Sequence, residues 1–102
     1  MTQTDVSTTE RTSVATKEPS MFRVIYINDS VTTVDFVLDS LVTFFNYSSE
    51  TAEKITLDIH EQGSAIVAVL PHELAEQKGV EVTLAARRQQ YPLQIRIEPD
   101  ES

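Results

Sequence analysis

Apolar side chains fall along the chain in separate runs with two different periods. Met21-Phe22-Arg23-Val24-Ile25-Tyr26-Ile27 is β-branched and aromatic with partial alternation, which predicts a strand, and Asn28-Asp29-Ser30 supplies the turn residues that end it. From Val34 the spacing becomes helical: Val34, Val37, Leu38, Leu41, Phe44 and Phe45 share a stripe. That helix is expected over about 33–46, with Thr32 or Thr33 as N-cap and Asp35 in its first turn. Ser48 is placed to cap a second helix that buries Ala52, Ile55 and Ile59 and ends near Gly63. Ser64 to Leu70 reads as a largely buried second strand. Pro71 opens a third helix to about Arg88, with Leu74, Ala75, Val82 and Ala85 on its buried stripe and Gly79 a weak point in it. After Pro92, Leu93, Ile95 and Ile97 alternate with Gln94, Arg96 and Glu98, the pattern of a half-exposed third strand. The order β-α-α-β-α-β predicts an α/β two-layer sandwich, a three-stranded sheet covered on one face by three helices.

Residues 1–20 do not join this pattern. They hold six Thr and three Ser, and their only apolar side chains are Met1, Val6, Val14 and Ala15. Ordering a backbone costs roughly 1–2 kcal/mol per residue, which so little apolar surface does not offset. The expectation is a disordered tail followed by one domain over 21–102. A chain of 102 residues has room for no second core.

Charge and composition remove several function classes. Sixteen acidic against eight basic residues give a net charge of -8, which argues against binding a phosphate backbone or an anionic lipid surface, both of which need clustered Lys and Arg. Neither nucleic acid nor membrane is an expected partner. The absence of Cys excludes disulfides, thiolate chemistry and Cys-based zinc sites. No apolar run approaches the ~20 residues needed to cross a bilayer, and the N-terminus has no secretory pattern, so a soluble intracellular protein is expected. With only Gly63 and Gly79 there is no phosphate-binding glycine loop, and the two histidines lack ligand spacing. No cofactor and no metal are expected. A hydrolase would need Ser30 as nucleophile with His60 as base and Asp29 as its orienter, yet Ser30 lies in a plain turn without an oxyanion-hole glycine.

What remains is a set of polar residues at the edge of an apolar layer. Asn28 and Asp29 leave the first strand just before helix one, and His60 lies in the last turn of helix two, one turn beyond Thr56. Helices joined by one or two residues pack antiparallel, which brings the start of the first near the end of the second. Acceptors then converge there. Taken singly the same residues have plainer uses, Asn-Asp as a turn and a terminal His as a partner of the helix dipole.

Phe22-Arg23-Val24-Ile25-Tyr26-Ile27-Asn28-Asp29, then Thr32, Phe36-Val37 and Leu41, Ile59-His60-Glu61-Gln62-Gly63, Glu73-Leu74-Ala75-Glu76-Gln77-Lys78 and Tyr91-Pro92-Leu93 resemble, in unbroken order over about residues 20–98, the ClpS family of protease adaptors. The resemblance implies a non-enzymatic adaptor that holds the free N-terminus of a substrate with a large hydrophobic first residue and hands it to a Clp AAA+ unfoldase of the ClpA or ClpC type. It implies that Asn28, Asp29 and neutral His60 accept hydrogen bonds from the substrate's α-ammonium, with Ser30 a possible contributor. Thr32, Val34, Thr56, Ile59 and Leu93 would form the side-chain pocket, and Glu73 and Lys78 would meet the unfoldase. A monomer working in the cytoplasm, or else in a plastid stroma, is the corresponding expectation.

The sequence departs from the family pattern at informative places. Ser30 stands where many members have a second Asp, and Val34 and Thr56 stand where Met is common, which removes a carboxylate and two long adaptable side chains. Pro71 replaces a polar helix cap and Gly79 a better helix former. The competing reading is an acidic α/β protein-interaction module without N-degron binding, since the C-terminal domain of the ribosomal stalk protein has a similar arrangement. That domain is rich in Lys on its binding face, which this chain is not.

Overall fold

The computed structural model describes residues 20–101, so the expected tail lies outside the described residues apart from Ser20. The elements follow as β1 (Met21–Ile27), α1 (Val34–Phe45), α2 (Ser49–Gln62), β2 (Ser64–Pro71), α3 (His72–Arg88) and β3 (Gln94–Pro99). The sheet order is β2-β1-β3, with β1 antiparallel to both neighbours. Helices α2 and α3 pack on the sheet, and α1 packs on α2 and α3. This is the expected β-α-α-β-α-β fold.

Register in the sheet is set by what must be buried. Val24 and Tyr26 alternate inward on the central strand and are wholly buried. Opposite them the ladder slips between Val24 and Ile25, pairing Val24 with Ala68 but Ile25 with Ile66. The extra residue in this bulge is Val67, which joins the core, and the Tyr47 hydroxyl donates to its carbonyl. Burying Tyr26 requires a partner for its hydroxyl. Ser40 Oγ donates its own proton to the Val37 carbonyl at 2.7 Å, so at 2.7 Å from Ser40 it is the Tyr26 hydroxyl that donates. Burial pushes the Tyr26 phenol well above its ordinary pKa, and the Ser40 bond offsets part of that.

The helix ends follow the sequence closely. Of the two candidate caps for α1 it is Thr33 that accepts from the Phe36 N–H, and Ser48 accepts from Thr51 at the start of α2. Gly63 closes α2 at φ 88°, a left-handed conformation that side chains rarely adopt. Pro71 serves as the N-cap of α3 without any side-chain cap bond.

The buried stripe of α3 differs from the sequence expectation. It runs through Ala75, Gly79, Val82 and Ala86, while Leu74 is exposed and Ala85 half-buried. Leu74 is the more hydrophobic residue, but the helix turns the small Ala75, Gly79 and Ala86 inward, and at Gly79 its backbone comes close to Ile95 and Ile97 of β3. Gly79 lies in that approach, yet an added Cβ would meet Ile97 Cδ1 at 3.4 Å and Ile95 Cγ2 at 3.7 Å, ordinary contact distances. Gly79→Ala should therefore stabilise the protein by about 0.5–1 kcal/mol through helix propensity. A urea midpoint that falls rather than rises would show the packing to be tighter than these distances.

Candidate functional site: two joined hollows at the α1–α2 end

Strand pairing assembles the site. Because Ile27 pairs with Ser64, the residue after β1 meets the residue before β2, and the Asn28 N–H donates to the Gly63 carbonyl at 2.9 Å. His60 lies one helical turn before Gly63. The ladder thus fixes Asn28 beside the C-terminal turn of α2.

The loop between β1 and α1 is shaped by one carboxylate. Asp29 Oδ1 accepts from the backbone N–H groups of Val31 at 2.8 Å and Thr32 at 2.7 Å, and Oδ2 accepts from the Thr32 hydroxyl at 2.8 Å. Burial alone would raise its pKa. The Thr32 and Val31 hydrogen bonds and the positive charge of Arg87 outweigh that and hold it below the usual carboxylate range. Arg87 in turn donates to the carbonyls of Tyr91 at 2.8 Å and Leu93 at 3.0 Å, fixing the approach to β3. Tyr91 buttresses the loop, with its ring edge-on to Phe36 and its hydroxyl accepting from Thr33 at 3.3 Å.

Two hollows meet here. One, of about 690 Å³, is lined by Asn28, Asp29, Ser30, Val31, Thr32, Thr33, Val34 and His60. The other, of about 210 Å³, is lined by Val34 and Leu38 of α1 and by Glu53, Thr56, Leu57 and His60 of α2. They share Val34 and His60, so a group rich in hydrogen-bond acceptors adjoins a largely hydrocarbon cleft. Val34 and Leu57 are 57% and 53% exposed, a large apolar exposure for side chains that flank the same cleft. The Thr56 hydroxyl donates to the Ala52 carbonyl at 2.7 Å, so it does not confront the cleft as an unpaired donor.

The structure gathers Asn28, Asp29, Ser30, Thr32, Val34, Thr56 and His60 around these hollows. Ile59 and Leu93 are instead core residues, 2% and 1% exposed, and line neither. Leu38, Glu53 and Leu57 line the cleft without having been singled out from sequence. Their spacing carried the signal: Leu38 is four residues after Val34, and Glu53, Thr56, Leu57 and His60 fall at i, i+3, i+4 and i+7, one helical face. Glu73 and Lys78 lie on α3 away from both hollows, Glu73 exposed and Lys78 3.5 Å from Glu81. A separate apolar groove of about 490 Å³ between α3 and β3, lined by Val80, Leu84, Ile95 and Ile97 among others, contains none of the polar groups of the site.

Chemically this arrangement sets hydrogen-bond acceptors beside an apolar cleft. No group of three or more Asp, Glu or His among the described residues is placed to hold a metal. Among the described residues no helix is long and apolar enough to cross a membrane.

Comparison with known proteins agrees over nearly the whole chain. The family model described as "ATP-dependent Clp protease adaptor protein ClpS" matches residues 17–96. An adapter protein ClpS of Phenylobacterium zucineum is 41% identical over 90 residues, covering 88% of this chain and 83% of that protein. That of Roseobacter denitrificans is 39% identical over 97 residues, covering 95% and 86%. The solved structure of Agrobacterium tumefaciens ClpS2 bound to L-phenylalaninamide superposes with a TM-score of 0.78 at 31% identity, covering 81% of this chain and all of that one. The family match and these relatives define the class as a small protease adaptor. The chain belongs to the ClpS family of ATP-dependent Clp protease adaptor proteins.

Proposed function

We propose that the joined hollows take the free N-terminus of a polypeptide whose first residue is large and hydrophobic, and that the protein delivers this N-degron to a Clp AAA+ unfoldase. The observation that carries this reading is the shared wall: Val34 and His60 belong to both hollows, so an α-amino group in the polar one places its own side chain in the apolar one. An α-ammonium presents three donors. The Asn28 side-chain oxygen, an Asp29 lone pair left over from its loop bonds and a ring nitrogen of His60 supply three acceptors. Asp29 has a second effect, because its carboxylate is charged at neutral pH and brings negative charge to the hollow. L-phenylalaninamide, which the Agrobacterium relative binds, has this chemistry, a free amine on a bulky apolar residue.

Ile59 and Leu93, buried in the core, contribute to this scheme through packing and not by touching the guest. Ser30 lies exposed on the polar rim. Glu73 and Lys78 are proposed to meet the unfoldase. Five positions apart on α3 they are about 140° round the helix axis, so the partner has to wrap that helix rather than touch one stripe. Delivery by a monomer in the cytoplasm, to an unfoldase of the ClpA or ClpC type, completes the reading. Titrating the protein with peptides that differ only in their first residue tests it: an acidic interaction module would bind all of them alike, and an N-degron adaptor would rank them.

Val34 and Thr56 should set part of that ranking. Val is shorter and stiffer than Met and covers a long guest less completely, and Thr56, with its hydroxyl tied to Ala52, contributes less surface than Met would. The double substitution Val34→Met with Thr56→Met is expected to strengthen binding of Phe-led or Leu-led peptides by about 1 kcal/mol through added apolar contact. Affinities within twofold of the parent, with the same rank order, would remove these two positions from the account.

A further inference from the structure

The apolar cleft has a charged end that the N-terminus reading does not use. Along α2 its lining begins at Glu53 and finishes at His60. Between them Leu57, with Val34 and Leu38 across the cleft, offers only hydrocarbon, and the Thr56 proton is already given to Ala52. Glu53 has no cation to occupy it from its own helix, since the positions three and four away are Ser49, Glu50, Thr56 and Leu57. No ion pair among the described residues involves it. A carboxylate therefore borders the space where the first side chain would lie, opposite the end that grips the amine.

We infer that Glu53 is a specificity-determining residue that accepts a hydrogen bond from the phenolic hydroxyl of an N-terminal Tyr and so ranks Tyr above Phe. This inference rests on the proposed N-terminus binding. Seven residues of α-helix rise ~10.5 Å between Glu53 and His60. An amine bound beside His60, with a phenol ring running back along the helix, covers that interval with one hydrogen bond at each end. Phe carries its ring to the same place but brings no donor. Its ring strips water from the carboxylate and returns nothing, the arrangement by which a site built to pair a hydroxyl rejects the analogue lacking it. Leu stops short and leaves Glu53 hydrated. The discrimination is thus within the aromatic guests, between one that pairs the carboxylate and one that dehydrates it.

Peptides identical beyond their first residue, led by Tyr, Phe or O-methyltyrosine, test this by fluorescence anisotropy against the full chain, Glu53→Leu and Glu53→Gln. The parent should bind the Tyr peptide about fivefold or more tighter than the Phe peptide, and the O-methyltyrosine peptide, which keeps the shape and loses the donor, no better than Phe. Glu53→Leu should bring the Tyr-to-Phe ratio to one or below by weakening Tyr and strengthening Phe. Glu53→Gln, neutral but still an acceptor, should fall between. Glu53 is exposed on the helix surface, so neither substitution disturbs the core. A parent ratio within twofold of one, or a ratio unchanged in both variants, overturns the role of Glu53 while leaving N-terminus binding intact. Failure of every free-amine peptide to bind the parent overturns the binding reading itself, and this inference with it.

Discussion

Acetylating the N-terminus of a Phe-led or Leu-led peptide is expected to weaken its binding by roughly a hundredfold or more. The change is small in size and large in chemistry. It removes the positive charge and leaves one amide N–H where three ammonium donors stood, and that N–H faces acceptors fixed by the fold. The backbone of Asn28 is anchored by its N–H bond to Gly63, and the Asp29 carboxylate is held by three donors of its own loop, so Asp29 is not free to turn away from the loss. Hydrogen bonds to charged groups are worth ~1.5–3 kcal/mol, so losing two of them costs about 3 kcal/mol or more. The acetyl group also occupies space on the polar side, where the apolar cleft cannot compensate. Fluorescence anisotropy with matched free and acetylated peptides measures the ratio directly. Binding of the acetylated peptide within threefold of the free one would contradict the assignment of the polar hollow to the amine, and would favour an acidic surface that binds without regard to the N-terminus.

The elements of this fold were legible because each is marked by local chemistry: Thr33, Ser48 and Gly63 are cap residues at the ends of periodic runs, and they cap where the pattern places them. The departures have one physical cause. Hydrophobicity alone favours Leu74 on the inner face of α3, but the position of a residue about a helix depends on what the helix meets, and the face that α3 turns inward carries Ala75, Gly79, Val82 and Ala86. The same limit applies to the site. Ile59 is apolar and one residue from His60, yet adjacent helical residues point about 100° apart, so Ile59 faces the core while His60 faces the hollow. Glu53 and Leu57 look in sequence like solvated helix surface. Only the packing of α1 against α2 turns that surface into the wall of a cleft. The resemblance to a family supplied roles for individual side chains, whereas no feature of the sequence could supply the fact that Asp29 spends most of its hydrogen-bonding capacity on its own loop.

That expenditure makes Asp29 the residue whose loss should matter most. Asp29→Ala is expected to weaken peptide binding by about 2–3 kcal/mol, because it removes a charged acceptor from the ammonium and, with it, the three bonds that hold Val31 and Thr32 in place. Thr32 and Val34 both follow within the loop, so the polar rim and the shared wall lose their geometry together. Stability should change far less, by about 1 kcal/mol or under, since the freed N–H groups lie where water replaces the carboxylate. Asp29→Asn separates the two effects. Its side-chain oxygen can still accept from the Val31 and Thr32 N–H groups, as Asn does in such turns, but it carries no charge and its NH₂ cannot accept from the Thr32 hydroxyl. Affinity should therefore fall in the order parent, Asn, Ala, with the Asn variant close to the parent in urea midpoint. The pH dependence has a definite sign. The folded-state pKa of Asp29 is lowered, so the stability it contributes is fully present above the ordinary carboxylate value of ~3.9 and is lost as the pH falls through its depressed value. Asp29→Asn should flatten that acid limb of the stability profile and leave the profile above pH ~5 unchanged. If Asp29→Ala binds free N-termini within threefold of the parent while its fold persists by circular dichroism, the loop carboxylate is a turn residue and nothing more, and the amine must be held by Asn28 and His60 alone.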